Sequence, residues 1–294
     1  MRGGNTFFIH GNVIDGKSLA HHLLDQTKVD IETLPLKPCL AVILVGDNPA
    51  SEVYVRHKQR TCERVGIESR LIRFQAHTSQ EKLLLQIHTL NEDKSVHGIL
   101  LQMPLPSSLK WYEALQAIHP LKDVDGLHHE NLGLLFSRKA RFIPCTPKGC
   151  LEILRCLTPL KGKRATVVGR SILVGRPMAA LLLRHHATVT IAHRYTEDLA
   201  SVTRDADILV VAAGKPGLMT KAHVKPGAIV LDVGITRVFV EGQGKLVGDV
   251  AFDEVAPYCS AITPVPGGVG PLTVACLMQN VVKAARLSLN NVSF

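Results

Sequence analysis

Apolar residues along this chain gather into short runs of strand length, separated by longer stretches with helical spacing. The strand-like runs are Leu40–Val45, Ile67–Phe74, His97–Leu101, Ala165–Val168, Thr188–Ile191, Ile208–Ala212 and Ala228–Val233. Strands alternating with helices predict an α/β protein whose parallel sheets are joined by crossover helices. The turn Pro144-Cys-Thr-Pro147 leads into the helical pattern Lys148–Leu157 and marks a boundary. The expected organisation is therefore a first domain over 1–147 and a second over 148–271. A last apolar helix, Leu272 to about Leu289, is expected to pack back on the first half with the remainder of 272–294. No internal repeat or low-complexity tract interrupts this pattern.

Two segments stand out against it. Gly46-Asp-Asn-Pro-Ala-Ser51 follows the first strand, and the helix after it carries Tyr54 and Lys58. Asn48 suits an N-cap and Pro49 a first helical residue, so Ser51, Tyr54 and Lys58 fall at i, i+3 and i+7 on one face. A lysine among apolar neighbours loses solvation as a cation, which lowers its pKa and suits it to act as a base near neutral pH. Far downstream, Thr263-Pro-Val-Pro-Gly-Gly-Val-Gly-Pro-Leu-Thr273 holds three prolines that fix φ and three glycines that expose backbone. Such a loop can bring main chain against a ligand, and Pro271 is placed to start the final helix.

In the second half, Ala165-Thr-Val-Val168 runs into Gly169-Arg-Ser171 and then Val174-Gly175 before a helical stretch. Strand, glycine turn and helix form the arrangement a dinucleotide phosphate requires, because exposed helix N–H groups meet the pyrophosphate. The spacing is not G-x-G-x-x-G, and a plain α/β turn also explains it. The next strand ends in His193-Arg194, where an NAD-specific fold usually carries an acidic residue for the ribose hydroxyls. A cation there pairs with a 2′-phosphate, so NADP is expected over NAD, with Arg170 a second candidate. Asp232-Val-Gly234-Ile235 reads as a strand end beside the cofactor. In the first half, Gln102 ends a buried strand, and Lys122-Asp-Val-Asp125-Gly126 puts two carboxylates in a turn. A neutral amide can bond the lysine without holding it charged, and Asp125 can accept paired donors from a heterocycle.

Composition narrows the classes. The 294 residues include 46% hydrophobic ones, which suits a globular chain of two domains. No apolar run is long enough for a bilayer, and the start lacks a secretory core, so a cytoplasmic protein is expected. The seven cysteines form no C-x-x-C pair and are expected as buried thiols. The fourteen histidines show no ligand spacing, so no metal is expected. The net charge of +9 is spread along the chain without basic tracts or interleaved aromatics, which favours small anions over nucleic acid.

Taken together, these motifs resemble the bifunctional methylenetetrahydrofolate dehydrogenase/methenyltetrahydrofolate cyclohydrolase family, from about Ile14 to about Val282. The matching stretches are those around Ser51, Tyr54 and Lys58, Gln102-Met-Pro-Leu-Pro106, Lys122 to Gly126, Pro144 to Pro147, Gly169 to Gly175, and Thr263 to Pro271. The resemblance implies two α/β domains, the second a Rossmann-type doubly wound parallel sheet, with folate in a cleft between them, and a homodimer. It implies Lys58 as the cyclohydrolase base or proton relay and Gln102 as its modulator. Tyr54 would pack on the folate rings and Asp125 would hold the pterin. Ser51, Pro266, Gly267 and Gly268 would complete the folate site, and Gly169, Arg170, Ser171 and Ile235 would line the NADP site, beside the Arg194 expected there from its charge. The chain departs from many bacterial relatives at Ile172, where they carry asparagine, and at Arg194, where they carry serine. A short-chain dehydrogenase has a similar hydroxyl, phenol and amine set, but there the nucleotide turn precedes the lysine, whereas here Gly169 follows Lys58.

Overall fold

The described chain opens with two short strands, β1 (Ile9–His10) and β2 (Val13–Ile14), antiparallel about a turn at Gly11 with φ 64°. Pairs this short are not stable by local propensity. They hold because Val13 sits in parallel register with Ile262, far along the chain, and because Phe8 and Ile14 are fully buried. The computed structural model describes residues 8–137, 139–240 and 243–289. The chain divides into two compact units.

Among the described residues, one unit comprises 22–143 and 274–289. Its sheet is parallel, in the order β4-β3-β5, from β3 (Cys39–Val45), β4 (Glu68–Phe74) and β5 (Gly98–Leu101). β3 is central and buried at all seven positions, as expected for a parallel strand covered on both faces. Ile43, Leu83, Ile87 and Ile99 share its core. The later part of the Val269–Leu289 helix belongs here: Asn280 Nδ2 donates to Val124 O at 2.8 Å and to Ile143 O at 3.0 Å. Burial pushes the Cys39 thiol up to about 11 and the Cys62 thiol up to about 12, so neither supplies a thiolate near neutral pH.

Among the described residues, the other unit comprises 8–21 and 144–273. Its strands are β6 (Arg164–Val168), β7 (Thr188–Ala192), β8 (Ile208–Val211), β9 (Ile229–Asp232) and β12 (Ala261–Ile262), with a separate hairpin of β10 (Thr236–Val240) and β11 (Gln243–Val247). The main sheet runs β1-β2-β12-β9-β8-β6-β7. Numbered by appearance, β6, β7, β8, β9 and β12 are parallel and lie in the order 2-1-3-4-5, a doubly wound arrangement whose order reverses between β6 and β8, with β2 added in parallel beyond β12. Ligands bind at such a reversal, beyond the carboxyl ends of the strands.

All seven strands expected from the hydrophobic pattern are present to within about one residue at each end. The grouping of the chain start differs from the expected 1–147 domain. Residues 8–21 join the second-half unit because β2 completes its sheet through Ile262 and because Asn12 Nδ2 donates to Ala256 O and Cys259 O. Among the described residues no helix is long and apolar enough to cross a membrane.

Candidate functional site

In the three-stranded unit, β3 delivers the chain to Gly46, whose φ of 81° turns it while its N–H donates to Phe74 O. Asn48 Oδ1 then accepts from Ala50 N at 3.0 Å and Ser51 N at 3.1 Å, with Pro49 first in the Pro49–Val65 helix. This is the cap the sequence predicts, and it fixes the phase of the helix. Ser51 is buried, Lys58 half-buried, and Tyr54 is 43% exposed. Lys58 Nζ donates to Gln102 Oε1 at 2.8 Å. Gln102 sits directly after β5, buried, with its N–H on Ile43 O. Its Nε2 donates to Met103 O at 2.6 Å, which commits the amide nitrogen and leaves Oε1 to face the amine. The structure thus joins Lys58 and Gln102, residues 44 positions apart that the sequence could only pair by chemistry.

The acidic turn separates its two carboxylates by role. Lys122 Nζ donates to Leu90 O and Asp93 O, both at 2.8 Å, closing the end of the Gln80–Glu92 helix, and burial holds this amine below the usual lysine range. Ile99 N–H bonds Lys122 O, so the turn is stitched to β5. Asp123 is 2% exposed and accepts from His128 N and Asn131 Nδ2, both at 2.8 Å. Burial raises it to about 6. Asp125, two residues on, is half-buried, and its carboxylate accepts no hydrogen bond among the described residues. Asp123 and Asn131 are supports that the sequence alone left without a role; the available signal at Asp123 was a carboxylate directly ahead of the apolar Val124 in a turn.

In the doubly wound unit, Gly169 lies at the end of β6 with φ 125°. A Cβ there would stand 2.1 Å from Ala212 O, so only glycine fits. Gly175 is equally constrained, its Cβ position falling 2.1 Å from Gly169 O. Ser171 Oγ accepts from Val174 N at 3.1 Å and Gly175 N at 3.4 Å, anchoring the turn to the start of the Gly175–Arg184 helix and keeping its own hydrogen to donate. Arg170 and Arg194 are both exposed. Ile235, 48% exposed, follows β9.

Two buried carboxylates tie these loops together. Asp232 Oδ1 accepts from Gly234 N and Asp249 N, and its Oδ2 from Val250 N. Asp249 Oδ2 accepts from Ala213 N at 2.7 Å and Gly214 N at 2.8 Å, while its buried Oδ1 has no partner among the described residues. Burial raises Asp232 to about 6. Asp249 was not singled out from the sequence, although an aspartate following glycine just ahead of an apolar residue was the available signal.

In the proline–glycine loop, Gly267 takes φ 103°, and Gly16 approaches so closely that a Cβ on it would stand 1.7 Å from Gly268 O. Gly268 is therefore buried by the start of the Gly16–Glu32 helix, whereas Pro266 is exposed and Gly267 half-buried. The final helix begins at Val269, two residues before Pro271, which becomes its third residue.

Two family models match this chain. Tetrahydrofolate dehydrogenase/cyclohydrolase, catalytic domain, matches residues 14–125, and the NAD(P)-binding domain of the same family matches residues 144–289. The chain belongs to the tetrahydrofolate dehydrogenase/cyclohydrolase family. Within that family, it is 51% identical over 279 residues to bifunctional protein FolD 2 of Ectopseudomonas mendocina, covering 94% of this chain and 92% of the relative. The bifunctional FolD structure from Campylobacter jejuni superposes with a TM-score of 0.90 at 47% identity, covering 94% of this chain and 98% of that one. The Trypanosoma brucei enzyme, solved with NADP and an inhibitor, gives 0.90 at 37% identity, covering 94% and 98%. Membership in this tetrahydrofolate dehydrogenase/cyclohydrolase family removes the short-chain dehydrogenase reading. The structure agrees, because Tyr54 and Lys58 belong to the three-stranded unit and the nucleotide-type sheet to the other.

Proposed function

We propose that this chain oxidises methylenetetrahydrofolate with NADP and hydrolyses the methenyl product to formyltetrahydrofolate, with Lys58 as the base of the second step. Both activities follow from the family, and the observation that carries the residue assignment is the Lys58 Nζ to Gln102 Oε1 hydrogen bond of 2.8 Å. When bound, NADP supplies the hydride acceptor. The residues present fit that group: a glycine turn that no Cβ could enter at Gly169, a free hydroxyl hydrogen on Ser171, and two exposed guanidinium groups at Arg170 and Arg194. Ile235 borders the same loops.

Oxidation leaves a resonance-stabilised cation on the folate, so the first step asks the protein for orientation more than proton transfer. The exposed Tyr54 ring offers a stacking face, and the Asp125 carboxylate accepts the paired N–H donors of the pterin. Pro266 and Gly267 supply accessible backbone, while Ser51 and Gly268 support from within. Hydrolysis needs a base to take a proton from the attacking water. An amine hydrogen-bonded to an amide oxygen has no full negative charge at that contact to hold it protonated, and the cationic substrate disfavours a second positive charge beside it. Lys58 can therefore take the proton and Gln102 hold the amine in place.

By the same family reading the active particle is a homodimer in the cytoplasm, and the positive charge serves polyanionic small molecules and not nucleic acid. Light scattering tests the dimer. The function is tested by following NADPH formation and methenyl decay together, with NADP and NAD compared as acceptors. NADPH formation followed by methenyl decay is expected, with NADP preferred. Absence of either activity, or a clear preference for NAD, counts against it.

A further inference from the structure

Arg170 follows the turn glycine of β6, and Arg194 stands just beyond β7, two residues after its end. Both guanidinium groups lie against the ring of Tyr195, Arg194 at 4.6 Å and Arg170 at 5.4 Å from the ring to the guanidinium carbon. Arg194 Nη2 also donates to Tyr195 Oη at 2.6 Å. No ion pair joins either arginine to a carboxylate among the described residues: Asp198 is occupied by Ser201 N–H, and Arg164, on the same sheet, takes Asp205. Two like charges drawn to one small ring without an anion repel each other. The ring face partly offsets that repulsion, since the aromatic quadrupole attracts both cations.

The ring itself is held in place. His193 N–H donates to Thr196 Oγ1, Thr196 N–H donates to His193 O, and Tyr195 N–H donates to His193 Nδ1 at 3.3 Å. The His193 ring meets the Tyr195 ring edge to face at 6.1 Å. Because the phenol oxygen accepts from Arg194, its own hydrogen is not spent on that bond and can be donated to a further acceptor. Two guanidinium groups and a hydroxyl, assembled at the end of the second strand of a doubly wound sheet, match the oxygens of a phosphate monoester dianion.

We infer that Tyr195 organises Arg170 and Arg194 into one clamp for the 2′-phosphate of NADP and donates a third hydrogen bond to it. This rests on the NADP reading above and adds a residue that selects the cofactor by holding two others. Tyr195 is 63% exposed, so its substitution does not open the core.

The test uses the full chain and calorimetry with 2′,5′-ADP and 5′-AMP, together with steady-state kinetics in NADP. Tyr195→Leu removes ring and hydroxyl, and Tyr195→Phe keeps the ring alone. Tyr195→Leu is expected to bind 2′,5′-ADP about tenfold more weakly and to show a KM for NADP raised about tenfold, with 5′-AMP affinity changed less than twofold. Tyr195→Phe is expected to fall between it and the parent. If the parent binds both nucleotides equally, the NADP reading fails and this inference with it. If the parent discriminates and Tyr195→Leu does so to the same degree, or if both ligands weaken equally, the role of Tyr195 alone is overturned.

Discussion

At the scale of single residues, the proposed hydrolysis turns on an amine whose acceptor is an amide, Lys58 on Gln102. A glutamate at position 102 would set a full negative charge beside Lys58, holding it protonated and unable to act as a base. Removing the amine should separate the two activities, because only hydrolysis needs a base. Lys58→Gln is expected to cut cyclohydrolase turnover by about 10²-fold or more while leaving substantial NADP reduction. The check is the ratio of methenyl decay to NADPH formation in a variant with parent-like circular dichroism, and an equal fall of both rates would refute the assignment. The residue types of this site were legible in the sequence, since Tyr54 and Lys58 lie on a helix whose cap and first proline could be read directly. The division of labour within the acidic turn was not legible. Asp123 and Asp125 are two positions apart in like surroundings, and only the long-range donors His128 N and Asn131 Nδ2 distinguish the buried carboxylate from the available one.

At the scale of elements, the reversal of strand order between β6 and β8 accounts for the strictness of the glycine turn. The two strands are neighbours in the sheet, so the chain leaving β6 passes directly over the carbonyl that follows β8. Gly169→Ala would put a methyl carbon 2.1 Å from Ala212 O at a φ of 125°. Loss of stability on the order of 3 kcal/mol is expected. Chemical denaturation measures it, and a variant within about 0.5 kcal/mol of the parent would show that the turn relaxes freely. Long buried strands such as β3 were readable because every position is apolar. The β10–β11 hairpin was not, because it forms its own two-stranded sheet and leaves Phe239 71% exposed, so no buried face imprints a period on the sequence. β1, β2 and β12 have two residues each and owe their existence to one another, which no local pattern records. The same pairing explains why the chain start joins the second-half unit.

At the scale of the whole molecule, buried carboxylates in both units set an unusual dependence of stability on pH. Burial raises Asp123 and Asp232 from the ordinary 3.8 to about 6. A carboxyl with a higher pKa in the folded chain binds its proton more tightly there. Its favourable contribution is complete below about pH 4 and is lost as pH rises through 6. Asp15, Asp93 and Asp207 act oppositely, because hydrogen bonds from Ser18, Ser95 and Lys225 hold them below the usual range and their contribution is lost in stronger acid. Burial also depresses His97 and His128, which costs stability as pH falls through the histidine range. The net profile is a sum of opposed terms, so the informative quantity is a difference between two proteins. Asp123→Asn keeps the shape and removes one titration. The stability of the parent relative to this variant is expected to rise by about 2 kcal/mol between pH 8 and pH 4.5, following one proton taken up near pH 6. Urea denaturation at both pH values measures it. A difference that stays flat, or that falls on acidification, would mean that Asp123 remains charged in the folded chain across this range, its burial outweighed by the His128 and Asn131 donors.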